Sequence, residues 1–141
     1  MIIERVGDLF SSECPALGHG VDTLGVMGAG IDVQFRQRWP AMYPAYRQAC
    51  PSGQLQPGGL FVYYASDRLI ANLATQRGVG RGAARIEWVR QAARAAARLL
   101  LEGLALAAYR RRLGGLGWRA VRAVLDEKPA PLPCVQLWSL Q

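Results

Sequence analysis

The sequence feature that most constrains the fold is a glycine-rich turn that leads directly into a helix. The turn reads Gly25-Val26-Met27-Gly28-Ala29-Gly30, and the residues after it place Ile31, Phe35 and Trp39 on one side of a helix. Glycine lets backbone N–H groups approach an anion because no Cβ intervenes, and the positive end of the helix dipole lies at the same place. The turn therefore predicts either an anion-binding loop or a plain connection between a strand and a helix.

Short hydrophobic segments alternate with segments of helical periodicity along the rest of the chain. We predict strands over 2–6, 16–20, 60–64, 69–73, 104–109 and 135–138, and helices over 28–38, 41–49, 83–102 and 117–127. The third and fourth strands are separated by a short turn and should pair as a hairpin. Strands alternating with helices indicate an α/β fold with a mixed sheet covered on both faces. At 141 residues, we expect one domain over 1–141.

The composition excludes several classes of protein. A hydrophobic content of 51% supports a packed core, but the longest apolar stretch, 92–108, is interrupted by two arginines and a glutamate and is too short to cross a bilayer. The N-terminus lacks the pattern of a secretory signal, so we expect a cytoplasmic protein without membrane association. The sequence has three cysteines, Cys14, Cys50 and Cys134, whose unrelated spacings fit neither a disulfide framework nor a zinc site. We therefore expect no metal and no cofactor.

The net charge of +7 comes almost entirely from arginine. Sixteen of the seventeen basic residues are arginines, and Lys128 is the single lysine. A coding bias towards arginine would produce this composition without a functional cause. The functional interpretation is attraction to phosphates, which the planar guanidinium group binds well, and a nucleic-acid partner would fit it.

The order of motifs along the chain resembles that of the macrodomain family of ADP-ribose-binding modules. An Asp-Leu-Phe turn follows the first strand, a second short strand comes next, and the glycine-rich turn follows it. Further matching segments are Arg36 to Pro40, Gly58 to Val62, Ile70 to Gln76 and Leu113 to Trp118. The resemblance covers nearly the whole chain and is to the branch of terminal ADP-ribose protein glycohydrolases and the antitoxin macrodomains that act on DNA-linked ADP-ribose. It implies a three-layer α/β/α macrodomain with a mixed central sheet of about six strands and a ligand cleft at the carboxyl ends of those strands.

The resemblance assigns the adenine end of that cleft to two segments. Asp8 would accept a hydrogen bond from the adenine amino group, with the Leu9 backbone beside it. Trp138 stands where relatives carry an aromatic ring that stacks on adenine. Each residue also has a structural alternative, because an aspartate after a strand is a common turn or cap residue and a tryptophan in a strand commonly packs on the core.

The same resemblance places the diphosphate and ribose between two loops. The first consists of Met27, Gly28, Ala29, Gly30 and Ile31, and Thr75 lies at the end of a strand nearby. The second is Arg110, Arg111, Arg112, Leu113 and Gly114, in which arginines occupy two positions where relatives carry glycine. These arginines would either obstruct the cleft or clamp the diphosphate through charge-assisted hydrogen bonds.

The catalytic residues of the related enzymes are replaced by other residue types in this chain. Those enzymes use a lysine after the Asn-Leu-x-Thr strand and an aspartate in the second loop, and the matching positions here hold Gln76 and Gly114. A covalent lysine mechanism is therefore not expected. The candidates that could position a water molecule are His19, Asp22 and Gln76, with His19 also open to a structural role.

Three functions remain open from the sequence. The first is a macrodomain that binds ADP-ribose and hydrolyses ADP-ribosyl groups from a modified protein or nucleic acid. The second is a reader of ADP-ribose without catalysis. The third is a nucleic-acid-binding module on the same fold, which predicts strong salt dependence and little competition by ADP-ribose.

Overall fold

The computed structural model describes residues 1–28, 30–80, 82–99, 103–108, 112–113, 115–127 and 132–139. Its strands are β1 (Ile2–Val6), β2 (Ala16–Val21), β3 (Leu60–Tyr64), β4 (Leu69–Ala74), β5 (Leu104–Ala108), β6 (Arg112–Leu113), β7 (Leu116–Gly117) and β8 (Val135–Ser139). Its helices are α1 (Ile31–Arg38), α2 (Met42–Ala49), α3 (Ile86–Leu99) and α4 (Trp118–Leu125), and a 3-10 turn spans Leu9–Ser11.

Six of these strands form one mixed sheet in the order β1-β8-β5-β2-β4-β3. Every neighbouring pair is parallel except β3 and β4, whose antiparallel register opposes Leu60 to Leu73 and confirms the predicted hairpin. β6 and β7, of two residues each, pair as a separate antiparallel hairpin. Because five strands run in the same direction, their carboxyl ends lie along one edge of the sheet, where α/β proteins generally place ligands.

Two hydrophobic cores cover the two faces of the sheet. On one face, α3 and α4 pack against inward residues of the strands, including Leu106 and Leu137. On the other face, Phe35 of α1 and Met42 and Tyr46 of α2 are all fully buried. The predicted three-layer α/β/α architecture is therefore confirmed.

Two helices begin three residues later than predicted, each for a local reason. α1 begins at Ile31 because Gly30 adopts φ +62° and ψ −137°, a conformation outside the helical region. α3 begins at Ile86 because an antiparallel bridge between Gln76 and Ala84 and a bond from the Arg85 N–H to the Thr75 carbonyl hold the preceding residues extended. The predicted ends of α3 and β5, at 100–102 and 109, lie outside the described residues.

The three cysteines are not bonded to one another. Within the described ranges, no helix is long and apolar enough to cross a membrane, and no group of three potential metal ligands comes together.

A buried polar ladder ties the sheet to α1 across three strands. His19 of β2 is fully buried and lies beside Asn72 of β4, which in turn lies beside Phe61 of β3. His19 Nε2 is 2.6 Å from Asn72 Oδ1, and His19 Nδ1 is 2.7 Å from Asp32 Oδ1 in the first turn of α1. The imidazole stacks on Phe35, with ring centroids 3.9 Å apart and planes 9° apart.

The partners of His19 fix the orientation of its ring. The Asn72 amide nitrogen donates to the Phe61 carbonyl at 3.0 Å, which turns the amide oxygen towards the imidazole. The two ring nitrogens therefore face oxygen atoms on both sides, Asn72 Oδ1 and Asp32 Oδ1. The contact with Asp32 fixes the N-terminus of α1 against the centre of the sheet.

The core on the α3 side predicts a large stability difference between two leucines. Leu106 is fully buried, whereas Leu99 on α3 is 53% exposed. We expect Leu106→Ala to lower the free energy of unfolding by about 2–5 kcal/mol, through lost burial and the cavity left behind. Leu99→Ala is the matched control and should change it by less than about 0.5 kcal/mol. Urea denaturation measures both, and equal effects would contradict the described core.

Candidate functional site

The carboxyl edge of the sheet brings most of the predicted site residues to one side of the molecule. Asp8 follows β1, Trp138 is near the end of β8, Asp22 follows β2, and Thr75 and Gln76 follow β4. The sheet order places them in a row that begins at β1 and ends at β4, with the glycine-rich turn after β2 between them. This is the edge at which the resemblance predicted a cleft for ADP-ribose.

Asp22 organises the beginning of the glycine-rich turn. Its side chain is 3% exposed, and Oδ1 accepts hydrogen bonds from the Leu24 N–H at 2.8 Å and the Val26 N–H at 3.1 Å. The buried Tyr46 hydroxyl lies 3.1 Å from the same oxygen and 2.7 Å from the Asp22 carbonyl. Burial and then the Asp22 charge raise the pKa of Tyr46, and the same two causes raise the pKa of the Cys50 thiol. This environment suits a structural carboxylate that shapes the loop, and the catalytic role of Asp22 stays a prediction.

Two further side chains hold the turn through its carbonyl groups. The Tyr43 hydroxyl donates to the Gly25 carbonyl at 3.3 Å, and Arg36 Nη1 donates to the Met27 carbonyl at 3.1 Å. The Met27 side chain is fully buried in the core. The carbonyl groups and the apolar side chain of the turn are therefore directed towards α1 and α2.

The N–H groups of the same turn are left available. No described residue accepts a hydrogen bond from the N–H of Gly28, Gly30 or Ile31, and no side chain caps α1. A Cβ built on Gly30 would meet nothing within 4 Å, so this part of the turn borders open space. Free amides at the positive end of a helix form an anion-binding site. Of the predicted loop, Ala29 lies outside the described residues.

At the β1 end of the row, Asp8 and Trp138 both have structural contacts. Asp8 is exposed and caps the 3-10 turn, with Oδ1 accepting from the Phe10 N–H at 3.0 Å, while Leu9 is buried. Trp138 is partly buried against the core, and its Nε1 donates to Gln136 Oε1 at 2.9 Å. A Cβ on Gly7 would lie 3.6 Å from the Trp138 ring, so the ring borders the segment that carries Asp8. Both residues therefore make the contacts of their structural alternatives, both lie at the carboxyl edge of the sheet, and their contacts with adenine stay predictions.

At the β4 end, Thr75 and Leu113 meet above a glycine. A Cβ on Gly20 would lie 2.8 Å from Thr75 Oγ1 and 3.0 Å from Leu113 Cδ1, so only glycine fits between them. Thr75 is fully buried, and its hydroxyl has no hydrogen-bond partner within the described part of the chain. Gln76 is partly exposed, and its Nε2 donates to the Gly78 carbonyl at 2.6 Å, which folds the side chain over its own loop.

His19 does not reach the cleft. It is fully buried and both ring nitrogens have partners, which favours its structural alternative of positioning α1 through Asp32, and its role on a water molecule stays a prediction. Sequence reasoning missed Asp32, although an acidic residue in the first turn of a helix after a glycine turn is a recognisable signal. It also missed Arg36 and Tyr43, for which the local sequence carries no signal.

Much of the second loop lies outside the described residues. Leu113 is buried, and only the backbone of Arg112 is described. The predicted contacts of Arg110, Arg111 and Gly114 fall on residues that the structure does not describe. Obstruction and clamping therefore both stay predictions.

Comparison with known proteins places this geometry among ADP-ribose-related domains. No family model matches the chain. A DNA ADP-ribosyl glycohydrolase of Thermus aquaticus is 34% identical over 140 residues, which is 94% of this chain and 39% of that protein. A DNA ADP-ribosyl glycohydrolase of Mycobacterium tuberculosis is 44% identical over 62 residues, 44% of this chain and 18% of that protein. The chain thus spans less than half the length of these curated relatives.

Solved structures cover the chain more completely. The macrodomain of Thermus aquaticus DarG superposes with a TM-score of 0.80 at 32% identity, covering 100% of this chain and 98% of that domain. The macrodomain of Mycobacterium tuberculosis DarG gives 0.78 at 26% identity, with 97% of each chain covered. Thermosipho africanus DarTG in complex with ADP-ribose gives 0.79 at 22% identity, covering 97% of this chain and 42% of that one. The chain belongs to the macrodomain family, in the branch of the DarG macrodomains.

Proposed function

We propose that this protein binds ADP-ribose at the carboxyl edge of its sheet and hydrolyses the bond between ADP-ribose and a DNA base. The observation that carries the proposal is the glycine-rich turn, whose carbonyls are tied to α1 and α2 while the N–H groups of Gly28, Gly30 and Ile31 have no described acceptor. The relatives named DNA ADP-ribosyl glycohydrolase and the DarTG structure with ADP-ribose support it. A cytoplasmic location follows from the same proposal, since a DNA substrate is met inside the cell.

The row of residues along the sheet edge suggests how the ligand would lie. Adenine would sit between Asp8 and Trp138 at the β1 end, and the diphosphate would face the amides of the glycine-rich turn. The distal ribose would then reach Thr75 and Gln76, four strand spacings from β1, or about 19 Å.

The electrostatics of the turn favour a diphosphate there. Amides at the N-terminus of α1 carry partial positive charge, and Asp32, the acidic residue of that first turn, is held 2.7 Å from His19 Nδ1. Arg36 adds a full positive charge directly behind the Met27 carbonyl. The protein groups behind the turn therefore offset the anion without needing a metal ion.

Hydrolysis would rest on a positioned water, because the matching lysine position holds Gln76. Water would add to the anomeric carbon of the distal ribose as the bond to the base breaks, and a proton from that water would pass to the departing base nitrogen. The anionic diphosphate would stabilise the positive charge that develops on the ribose. Gln76 is partly exposed at the end of β4, where its side-chain amide could orient the water.

A non-catalytic reader is the second candidate function, and Gln76 is the residue that favours it. A glutamine orients a water molecule but can neither form a covalent bond with ribose nor act as a strong base. Both functions require binding of ADP-ribose, but only the hydrolase turns over an ADP-ribosylated substrate.

The proposed anion-binding turn predicts a specific effect of adding a methyl group at Gly30. Ala at φ +62°, ψ −137° is strained by about 1–3 kcal/mol, and relief of that strain would rotate the amides away from the ligand. We expect Gly30→Ala to weaken ADP-ribose binding at least tenfold by calorimetry.

Gly53→Ala is the matched control for Gly30→Ala. Gly53 also has positive φ, at +83°, and stands in the turn after α2, where a Cβ would lie 3.8 Å from Gln56 Nε2. Its substitution should cost similar stability and leave ADP-ribose affinity unchanged. Equal affinities in the two variants would contradict the assignment of the turn.

The water-positioning role predicts a separation of kinetic constants in Gln76→Ala. On a DNA oligonucleotide carrying ADP-ribose, we expect kcat to fall by about 100-fold while KM and the affinity for free ADP-ribose stay unchanged. Single-turnover release of ADP-ribose measures the chemical step. Unchanged kcat would remove Gln76 from the mechanism, and no turnover in the unsubstituted protein would favour the reader.

A further inference from the structure

The arginines of this chain differ in whether a carboxylate neutralises them. On the α3–α4 side, Arg90 forms an ion pair with Glu127 at 2.8 Å, and Arg122 forms one with Glu4 at 2.7 Å. Arg36, Arg47 and Arg77 form no ion pair with any described residue, and Arg98 in the last turn of α3 likewise forms none. Of the two carboxylates that flank the glycine-rich turn in the sequence, Asp22 is engaged by backbone amides and Asp32 by His19. Positive charge is therefore left uncompensated beside the β2 and β4 ends of the cleft.

Two of these arginines border the same loop segment. The Thr23 N–H and hydroxyl both donate to the Arg77 carbonyl, at 3.4 and 3.1 Å. On the other side, a Cβ on Gly25 would lie 3.5 Å from Cγ of Arg47. Both arginines are exposed. The loop after β4, α2 and the segment after β2 thus form one continuous rim.

Apolar side chains stand in the open between these charges. Leu24 and Val79 are each 63% exposed, and Val26 is 41% exposed. The Leu24 side chain lies 3.7 Å from the position of a Cβ on Gly78, next to Val79 in the chain. A single exposed apolar residue is ordinary, but three on adjoining loops between arginines form a mixed surface. We call Leu24, Val26, Val79, Arg47 and Arg77 the rim surface.

A groove between α1 and α2 continues this surface. It has a volume of about 290 Å³ and is lined by Val33, Arg36, Gln37, Pro40 and Tyr43. The Arg36 guanidinium lies 3.9 Å from the centre of the Tyr43 ring, and that of Arg47 lies 5.6 Å from it. The Tyr43 ring therefore lies between two guanidinium groups, so charged and apolar side chains alternate along the groove as they do on the rim surface.

We propose that the rim surface binds the single-stranded DNA that carries the ADP-ribose group. The orientation rests on the proposed function: with adenine at β1 and the distal ribose at β4, the DNA attached to that ribose leaves the cleft beside Leu24 and Val79. Single-stranded DNA has an anionic backbone for the arginines and exposed base faces for the apolar side chains. An acidic peptide would match the charge only, and duplex DNA would hide the bases.

The test uses a charge-removing double variant, Arg47→Gln with Arg77→Gln. Glutamine retains the methylene groups that pack on Gly25 and removes the charge. Binding of an unmodified oligothymidylate is followed by fluorescence anisotropy over a series of salt concentrations. We expect about tenfold weaker binding and a slope of log affinity against log salt that is shallower by about 1.4, for two lost phosphate contacts. Affinity for free ADP-ribose should not change.

Arg98→Gln is the matched control for the charges. Arg98 is exposed, has no ion pair with a described residue, and lies in the last turn of α3. It should leave both affinities unchanged. The apolar part is tested by the double variant Leu24→Ser with Val79→Ser. This variant should weaken DNA binding without altering the salt slope, and Leu99→Ser is its control.

The outcomes separate this inference from the proposed function. Equal DNA affinity and slope in the double variant and in Arg98→Gln would overturn it, as would no binding of the oligonucleotide by the unsubstituted protein at low salt. If the double variant lost binding to a polyglutamate peptide and kept its DNA binding, the inference would also be overturned and an acidic protein partner would be indicated. Failure to bind ADP-ribose, with the expected loss of DNA binding, would overturn the proposed function and leave the rim surface supported.

Discussion

The position of the proposed binding site depends on one contact between the sheet and α1. His19 lies in the central part of the sheet with no exposed surface, and its Nδ1 contacts Asp32 Oδ1 in the first turn of α1. Removing the Asp32 carboxylate would leave a buried ring nitrogen without a partner, which costs free energy. The contact therefore favours one position of α1 on the sheet, and with it the direction in which the amides before the helix point.

Side chains and backbone have separate parts in the site. Asp22, Tyr43 and Arg36 bind the glycine-rich turn from the protein side, through two amides and two carbonyls. The remaining amides face open space at Gly30. This arrangement explains why the polar residues that suggested catalysis, His19 and Asp22, are buried: they hold a turn whose own backbone would contact the ligand.

Local patterns predicted most of the elements, because periodicity and turn residues act over a few positions. The limits of β3 were predicted to the residue, and the glycine-rich turn lies where the sequence indicated. The start of α3 could not be predicted, since it depends on the bridge between Gln76 and Ala84, a tertiary arrangement. The ladder from His19 through Asn72 required the register of β2 on β4, which hydrophobic alternation does not determine to one residue. The contrast between paired and unpaired arginines depends likewise on which helices meet.

The central claim is that the amides at the start of α1 bind the diphosphate of ADP-ribose. Titration of ¹⁵N-labelled protein with ADP-ribose, followed through backbone amide resonances, tests it most directly. The account predicts that the amide resonances of Gly28, Gly30 and Ile31 shift most, with a common saturation curve. Shifts confined to α3 and α4, or none at saturating ligand, would contradict it.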